Sequence, residues 1–141
     1  MRSDGLFKHL AICAFMAVVF YVAAFTWIEH RRIAKGPWTV NFRADAAGTP
    51  TLLISQTNLN ISETVAFPGQ SVHPANFSNT VVFGENPPQL PFGKLIFQDP
   101  TFLPGTVTMG LFAHEVELLP RVLIVDKKEH PWQTGARVEV R

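Results

Sequence analysis

Residues 10–28 read LAICAFMAVVFYVAAFTWI, nineteen positions without a charge. Apolar residues fall on every face of the helix this run predicts, not on the single stripe of a surface helix. At about 1.5 Å rise per residue, such a helix crosses a hydrocarbon core of roughly 30 Å. In lipid a lone span must bond its backbone polar groups internally, which only a helix does. Arg2, Asp4 and Lys8 precede the run; Glu29, Arg31, Arg32 and Lys35 follow it. Trp27, Arg31 and Arg32 are expected at the membrane–water interface, where an amphipathic ring and basic side chains sit at headgroup level. The implied organisation is a tail at 1–9, a transmembrane helix of the signal-anchor kind at 10–28, a short basic linker at 29–36 and a folded domain at 37–141.

A cleaved signal peptide is the competing reading. Arg2 and Lys8 would form its basic region and Val22-Ala23-Ala24 its cleavage site. Against cleavage, the apolar run continues through Phe25, Thr26, Trp27 and Ile28 before it meets Arg31-Arg32.

Beyond residue 36 the pattern changes. All eleven prolines and, counting Gly36, eight of the nine glycines lie from there onward, so long helices are excluded. Short alternating segments bounded by turn residues recur, which is the strand signal. Trp38, Val40 and Phe42 share a face, the turn Asp45-Ala-Ala-Gly48 follows, and 51–56 completes a hairpin. Further strands are expected at 58–67 (with a bulge at Ser62-Glu63-Thr64), 79–83, 94–98, 106–113, 115–119, 121–125 and 137–141. Pro100 and Pro104-Gly105 bracket a turn, and Asp126-Lys-Lys-Glu129 is another. The core is expected to hold Trp38, Phe42, Leu53, Ile61, Phe67, Val82, Phe97, Met109, Leu111, Leu123 and Val125. The implied fold is all-β: an antiparallel sandwich or small barrel of about eight strands behind one N-terminal transmembrane helix.

Charge narrows the function. Residues 36–141 hold seven basic and nine acidic side chains, a net of −2, so the chain's +1 comes from its first 35 residues. A faintly acidic domain without a basic stripe argues against nucleic acid. The lone Cys13 sits in the apolar helix, so the domain has no disulfide. Flanking charges set orientation weakly, with three basic residues after the span and two before it. A short tail retained inside and an exported domain is the usual outcome for such an anchor, which puts the β-domain on the extracytoplasmic, periplasmic side.

Candidate chemistry is sparse. In a strand at His114-Glu115-Val116-Glu117, His114 and Val116 share one face and the two glutamates the other. His114, with His73 or His130, is the weak candidate for a metal site, without an H-E-x-x-H spacing or a cysteine to support it. No serine lies in a G-x-S-x-G context and no glycine-rich phosphate loop is present, so no catalytic residue and no cofactor are assigned. The sequons at Asn60 and Asn76 match the glycosylation pattern formally.

The stiff loop with Pro87, Pro88, Pro91 and Phe92, together with Phe77 and Trp132 from other loops, is the candidate interaction surface. Ala14, Ala17 and Ala24, at steps of three and seven, allow close helix packing in the membrane. The reading is a membrane-anchored, non-enzymatic interaction module. Its expected partners are the bilayer and another integral membrane protein, in which case it is an accessory or structural subunit. A tethered carbohydrate-binding-like domain and a small enzyme or metal site around His114 are the alternatives.

Overall fold

The computed structural model describes residues 3–84, 86–99 and 103–141, and the side chains of residues 3, 4 and 32–34 lie outside the description. Pro100 in one expected turn and the side chain of Arg32 therefore fall outside the described residues.

Helix α1 runs Ser3–Lys35, and its stretch Gly5–Arg31 is long and apolar enough to cross a membrane. Its side chains are largely exposed, including Phe15, Phe20 and Phe25. The helix continues through most of the stretch read as a linker. It stops where Gly36 takes φ +67° and Pro37 follows, since glycine enters the left-handed region without a Cβ clash and proline cannot extend a helix. The carbonyls of Lys35, Gly36 and Pro37 all accept from the buried Gln56 Nε2.

The domain is a sandwich of two five-stranded sheets and not a closed barrel. Its strands are β1 (Trp38–Ala44), β2 (Pro50–Gln56), β3 (Ile61–Ala66), β4 (Ser78–Phe83), β5 (Lys94–Gln98), β6 (Val107–Leu111), β7 (His114–Leu118), β8 (Val122–Val125), β9 (Lys128–Pro131) and β10 (Arg137–Glu139). The first sheet has the order β10-β3-β2-β1-β4 and the second β5-β6-β7-β8-β9. The β1–β2 hairpin closes through the Asp45 side chain, whose Oδ1 accepts from Ala47 N at 2.9 Å and Thr49 N at 2.8 Å. Such a side-chain bond mimics a backbone turn, which is why aspartate marks the position.

The alternation of β1 buries Trp38, Val40, Phe42 and Ala44. In β2 the run Leu52-Leu53-Ile54 is resolved by pairing. Phe42 lies opposite Leu52 and Val40 opposite Ile54, so Leu53 turns to the outer face and not, as expected, into the core. In β4, Val81 and Phe83 are buried and Val82 is 52% exposed, which corrects the expectation for Val82. Phe97 is corrected likewise. A bulge between Leu95 and Phe97 shifts the register, places Phe97 opposite the outward Thr108 and leaves it 55% exposed.

Three further differences have physical causes. The β2–β3 register runs unbroken from Gln56↔Ile61 to Thr51↔Ala66, so no bulge forms at residues 62–64 and Glu63 keeps the buried parity of Ile61 and Val65. The charged stretch after Val125 is a two-residue turn, Asp126-Lys127, followed by the strand β9. β10 pairs with β3 in parallel, the one parallel contact among the described strands. β4 and the whole second sheet lie in the connection that a parallel pair requires.

Glu63 is 2% exposed, and its Oε2 has no hydrogen-bond partner among the described residues. Burial disfavours the charged form and raises its pKa above the ordinary glutamate value. The folded state then holds a proton that the unfolded state releases, so stability is full below about pH 4.5 and declines as pH rises toward the folded value. Glu63→Gln is expected to raise the melting temperature at pH 7 by a few degrees, with the gap closing toward pH 4.5. Thermal unfolding followed by β-sheet circular dichroism across that range checks it.

Candidate interaction surface

The strands of both sheets run between two aromatic ends. At one end Trp38 packs on Trp132 with ring centroids 5.4 Å apart. Trp38 Nε1 donates to Gly105 O at 2.7 Å and Trp132 Nε1 to Leu119 O at 2.8 Å. At the other end the rings form a chain: Phe42–Phe92 at 5.2 Å, Phe92–Phe112 at 5.5 Å, Phe112–Phe67 at 5.5 Å and Phe67–His114 at 6.2 Å. Phe77, Phe92 and Trp132 are half-buried and pack against the core. They fill the ends of the sandwich, and each offers only part of its ring to solvent.

Two tight turns meet at the phenylalanine end. Phe112-Ala113 joins β6 to β7 and Asp126-Lys127 joins β8 to β9, with all four residues at positive φ. That is the geometry of a two-residue hairpin loop whose twist matches the strands. Asp126 stitches the two turns together. Its Oδ1 accepts from Glu115 N at 2.9 Å and its Oδ2 from His114 Nδ1 at 2.6 Å. The Glu115 N–H, then the His114 ring, hold the Asp126 carboxyl below the usual aspartate range. His114 is thus paired with Asp126, and neither His73 nor His130 bonds it. No hydroxyl or thiol bonds His114 among the described residues, and no group of three His, Cys, Asp or Glu is arranged there to hold a metal ion.

Glu115 and Glu117 project from the opposite face of β7. Partial burial, then a hydrogen bond and the charge of Glu115, raise the Glu117 pKa. Across β6 and β5 this outer face passes into Lys94 and Ile96. A shallow depression of about 490 Å³ is lined there by Gly93, Lys94, Ile96, Gly110, Ala113, His114 and Glu115. A second, of about 450 Å³, lies beside it under the proline loop, lined by Pro87, Pro88, Gln89, Leu90, Gly93, Lys94 and Leu95. Gly93 is the hinge between them. At φ +82° a Cβ would stand 2.2 Å from Leu111 Cδ2 and 2.5 Å from Gly110 O, so only glycine lets the loop approach β6 this closely. Pro87 is exposed, and Pro88 and Pro91 are half-buried.

The two sides of the sandwich differ in charge. β9 and β10 form one side, with Lys128, Glu129, Pro131, Arg137 and Glu139 along it. β4 and β5 form the other, tied by Gln98 Nε2 donating to Gly84 O. There the only charged residue in either strand is Lys94. Ile96 and Phe97 on β5 are 51% and 55% exposed, and with Val82 on β4 they are the exposed large apolar side chains of the described domain. Sequence reasoning found the proline loop but missed Ile96, which shares the outer face of Lys94, and Phe97, because the bulge that turns it outward leaves no local mark.

In α1, Arg31 places its guanidinium 4.6 Å from the centre of the Trp27 ring. The cation–π contact holds the basic group beside the aromatic ring. Ala14 and Ala17 are exposed and Ala24 is half-buried.

Asp126→Asn is expected to lower stability at neutral pH by about 1 kcal/mol or less, since the pair is partly exposed. A depressed carboxyl pKa contributes stability above the unfolded value of 3.8 that is lost as pH falls through the folded one. The wild-type advantage should therefore vanish in acid, which denaturant unfolding at neutral and acidic pH measures. No protein-family model, curated protein or solved structure matches this chain.

Proposed function

We propose that this chain is a membrane-anchored, non-enzymatic interaction module that serves as an accessory or structural subunit of a membrane protein complex. The observation that carries the reading is the β5 surface. Ile96 and Phe97, two of the three exposed large apolar side chains of the described domain, lie side by side on a bulged edge strand beside a stiff proline loop. Exposed apolar side chains grouped on one surface mark contact sites. The proline loop adds contact area at low ordering cost.

The retained signal-anchor rests on the apolar run, which continues past Val22-Ala23-Ala24 through Phe25, Thr26, Trp27 and Ile28 before it meets Arg31-Arg32. Trp27 and Arg31 would mark its interface, with Arg32 beside them in sequence. Ala14, Ala17 and Ala24 would admit a neighbouring helix. The extracytoplasmic, periplasmic placement of the domain rests on the behaviour of short-tailed anchors.

Extraction of the tagged full chain in mild detergent, followed by mass spectrometry, tests the reading. A stoichiometric integral membrane protein should co-purify, and Phe97→Asp should release it while the domain stays folded. Recovery of the wild-type chain with no other protein would overturn it.

A further inference from the structure

The edge of β4 has a property that β5 lacks. Ala44 N donates to Phe77 O at 2.9 Å, which sets the phase of the β1–β4 ladder. By the alternation of antiparallel pairing, Asn79, Val81 and Phe83 exchange bonds with β1, whereas Ser78, Thr80 and Val82 aim their N–H and C=O groups away from it. Among the described residues, the Val82 carbonyl alone has a partner on that open side, accepting from Gly84 N at 3.2 Å. The side chains of Ser78, Thr80 and Val82 are also exposed. The strand carries neither a charge nor a proline, the usual devices that block edge pairing.

We propose that β4 is a self-pairing edge: two copies of this chain join β4 to β4 antiparallel about a two-fold axis at Thr80, making one continuous sheet. The register itself argues for a second copy. Three outward residues centred on Thr80 map onto themselves under the two-fold. Ser78 then faces Val82 of the second copy and Thr80 faces Thr80 of the second copy, so that each outward N–H meets an outward carbonyl, the Val82 carbonyl being already engaged by Gly84 N. A threonine–threonine pair is favourable across strands, and no charge is buried. Charge excludes the alternative pairing of β4 with the far side of another copy, where Arg137 and Glu139 of β10 would be desolvated. A pairing of like edges closes as a dimer and does not propagate. Asn41 and Arg43 brace the edge from behind: Asn41 Nδ2 donates to Thr80 Oγ1 at 2.9 Å, and Arg43 Nε donates to Asn41 Oδ1 at 3.0 Å.

The test is the mass of the full chain in detergent and in lipid nanodiscs, corrected for bound detergent or lipid. The wild type should sediment at twice the protomer mass of 15.7 kDa. Thr80→Pro, which removes an outward donor but no β1–β4 ladder bond, should lose the dimer, and so should Val82→Lys. Thermal unfolding confirms that each variant is folded. In a Cys13→Ser background, Thr80→Cys should form an intermolecular disulfide. A facing hydrogen-bonded pair has a Cα separation of about 5.5 Å, inside the disulfide range of about 4.4–6.8 Å. Glu129→Cys on the charged side should not cross-link. A wild-type monomer in both media, a dimer that survives both edge variants, or equal cross-linking at the two cysteines would each overturn the proposal. So would a monomeric chain from which Thr80→Pro strips a different bound protein, since the edge would then take a foreign strand. A chain that dimerises but retains no other protein keeps this inference and loses the accessory-subunit reading.

Discussion

The two sheets are held together without a disulfide, so their cohesion rests on the side chains between them, and above all on Trp38. It is 1% exposed, packs on Trp132 and donates its indole proton to Gly105 O. A buried indole N–H without an acceptor would forfeit much of what its ring gains by burial. The carbonyl of Gly105, just before β6, therefore sets where the second sheet meets β1. The phenylalanine chain does the same at the far end without polar groups. With both ends fixed, the order of strands decides which edges lie side by side: β4 with β5, and β9 with β10.

Much of this was legible in the sequence because alternation with turn residues is a local signal. Trp38, Val40 and Phe42 declare their face, and Asp45 to Gly48 declares its turn. The unread parts have non-local causes. Nothing in Leu52-Leu53-Ile54 says which leucine points inward until β1 chooses. The turn at Phe112-Ala113 was hidden because a bulky residue at positive φ is an outlier on propensity, stabilised here by Phe67 and Phe92. β9 was hidden because Lys128 and Glu129 read as a charged loop, yet an edge strand is where such residues protect a sheet. Glu63 was misread because a carboxyl at a core position looks like a register error. It is a true core position with an unpaired acid in it.

The candidate surface divides in the same way. The proline loop was visible from composition, and the opposite faces of His114 and the glutamates from parity. The pairing of His114 with Asp126 was not, because it depends on two hairpin turns arriving at the same end of the sheet. Ile96 was assigned nothing, and Phe97 was placed in the core, since a single inserted residue reverses a face and has no signature of its own.

The difference between the two sides of the sandwich bears on what a membrane anchor would contribute. A bare edge is a hazard for a freely diffusing protein, because it pairs with any strand it meets. A chain confined to a bilayer meets fewer partners, and meets them with its rotation restricted. Tethering turns each encounter into a nearly intramolecular one, so a short uncharged edge can bind usefully with few hydrogen bonds. On this argument the anchor and the bare edge belong together. The charged β9–β10 side would keep the proposed pairing to one direction, while a membrane span would supply the local concentration that a contact the length of β4 lacks by itself.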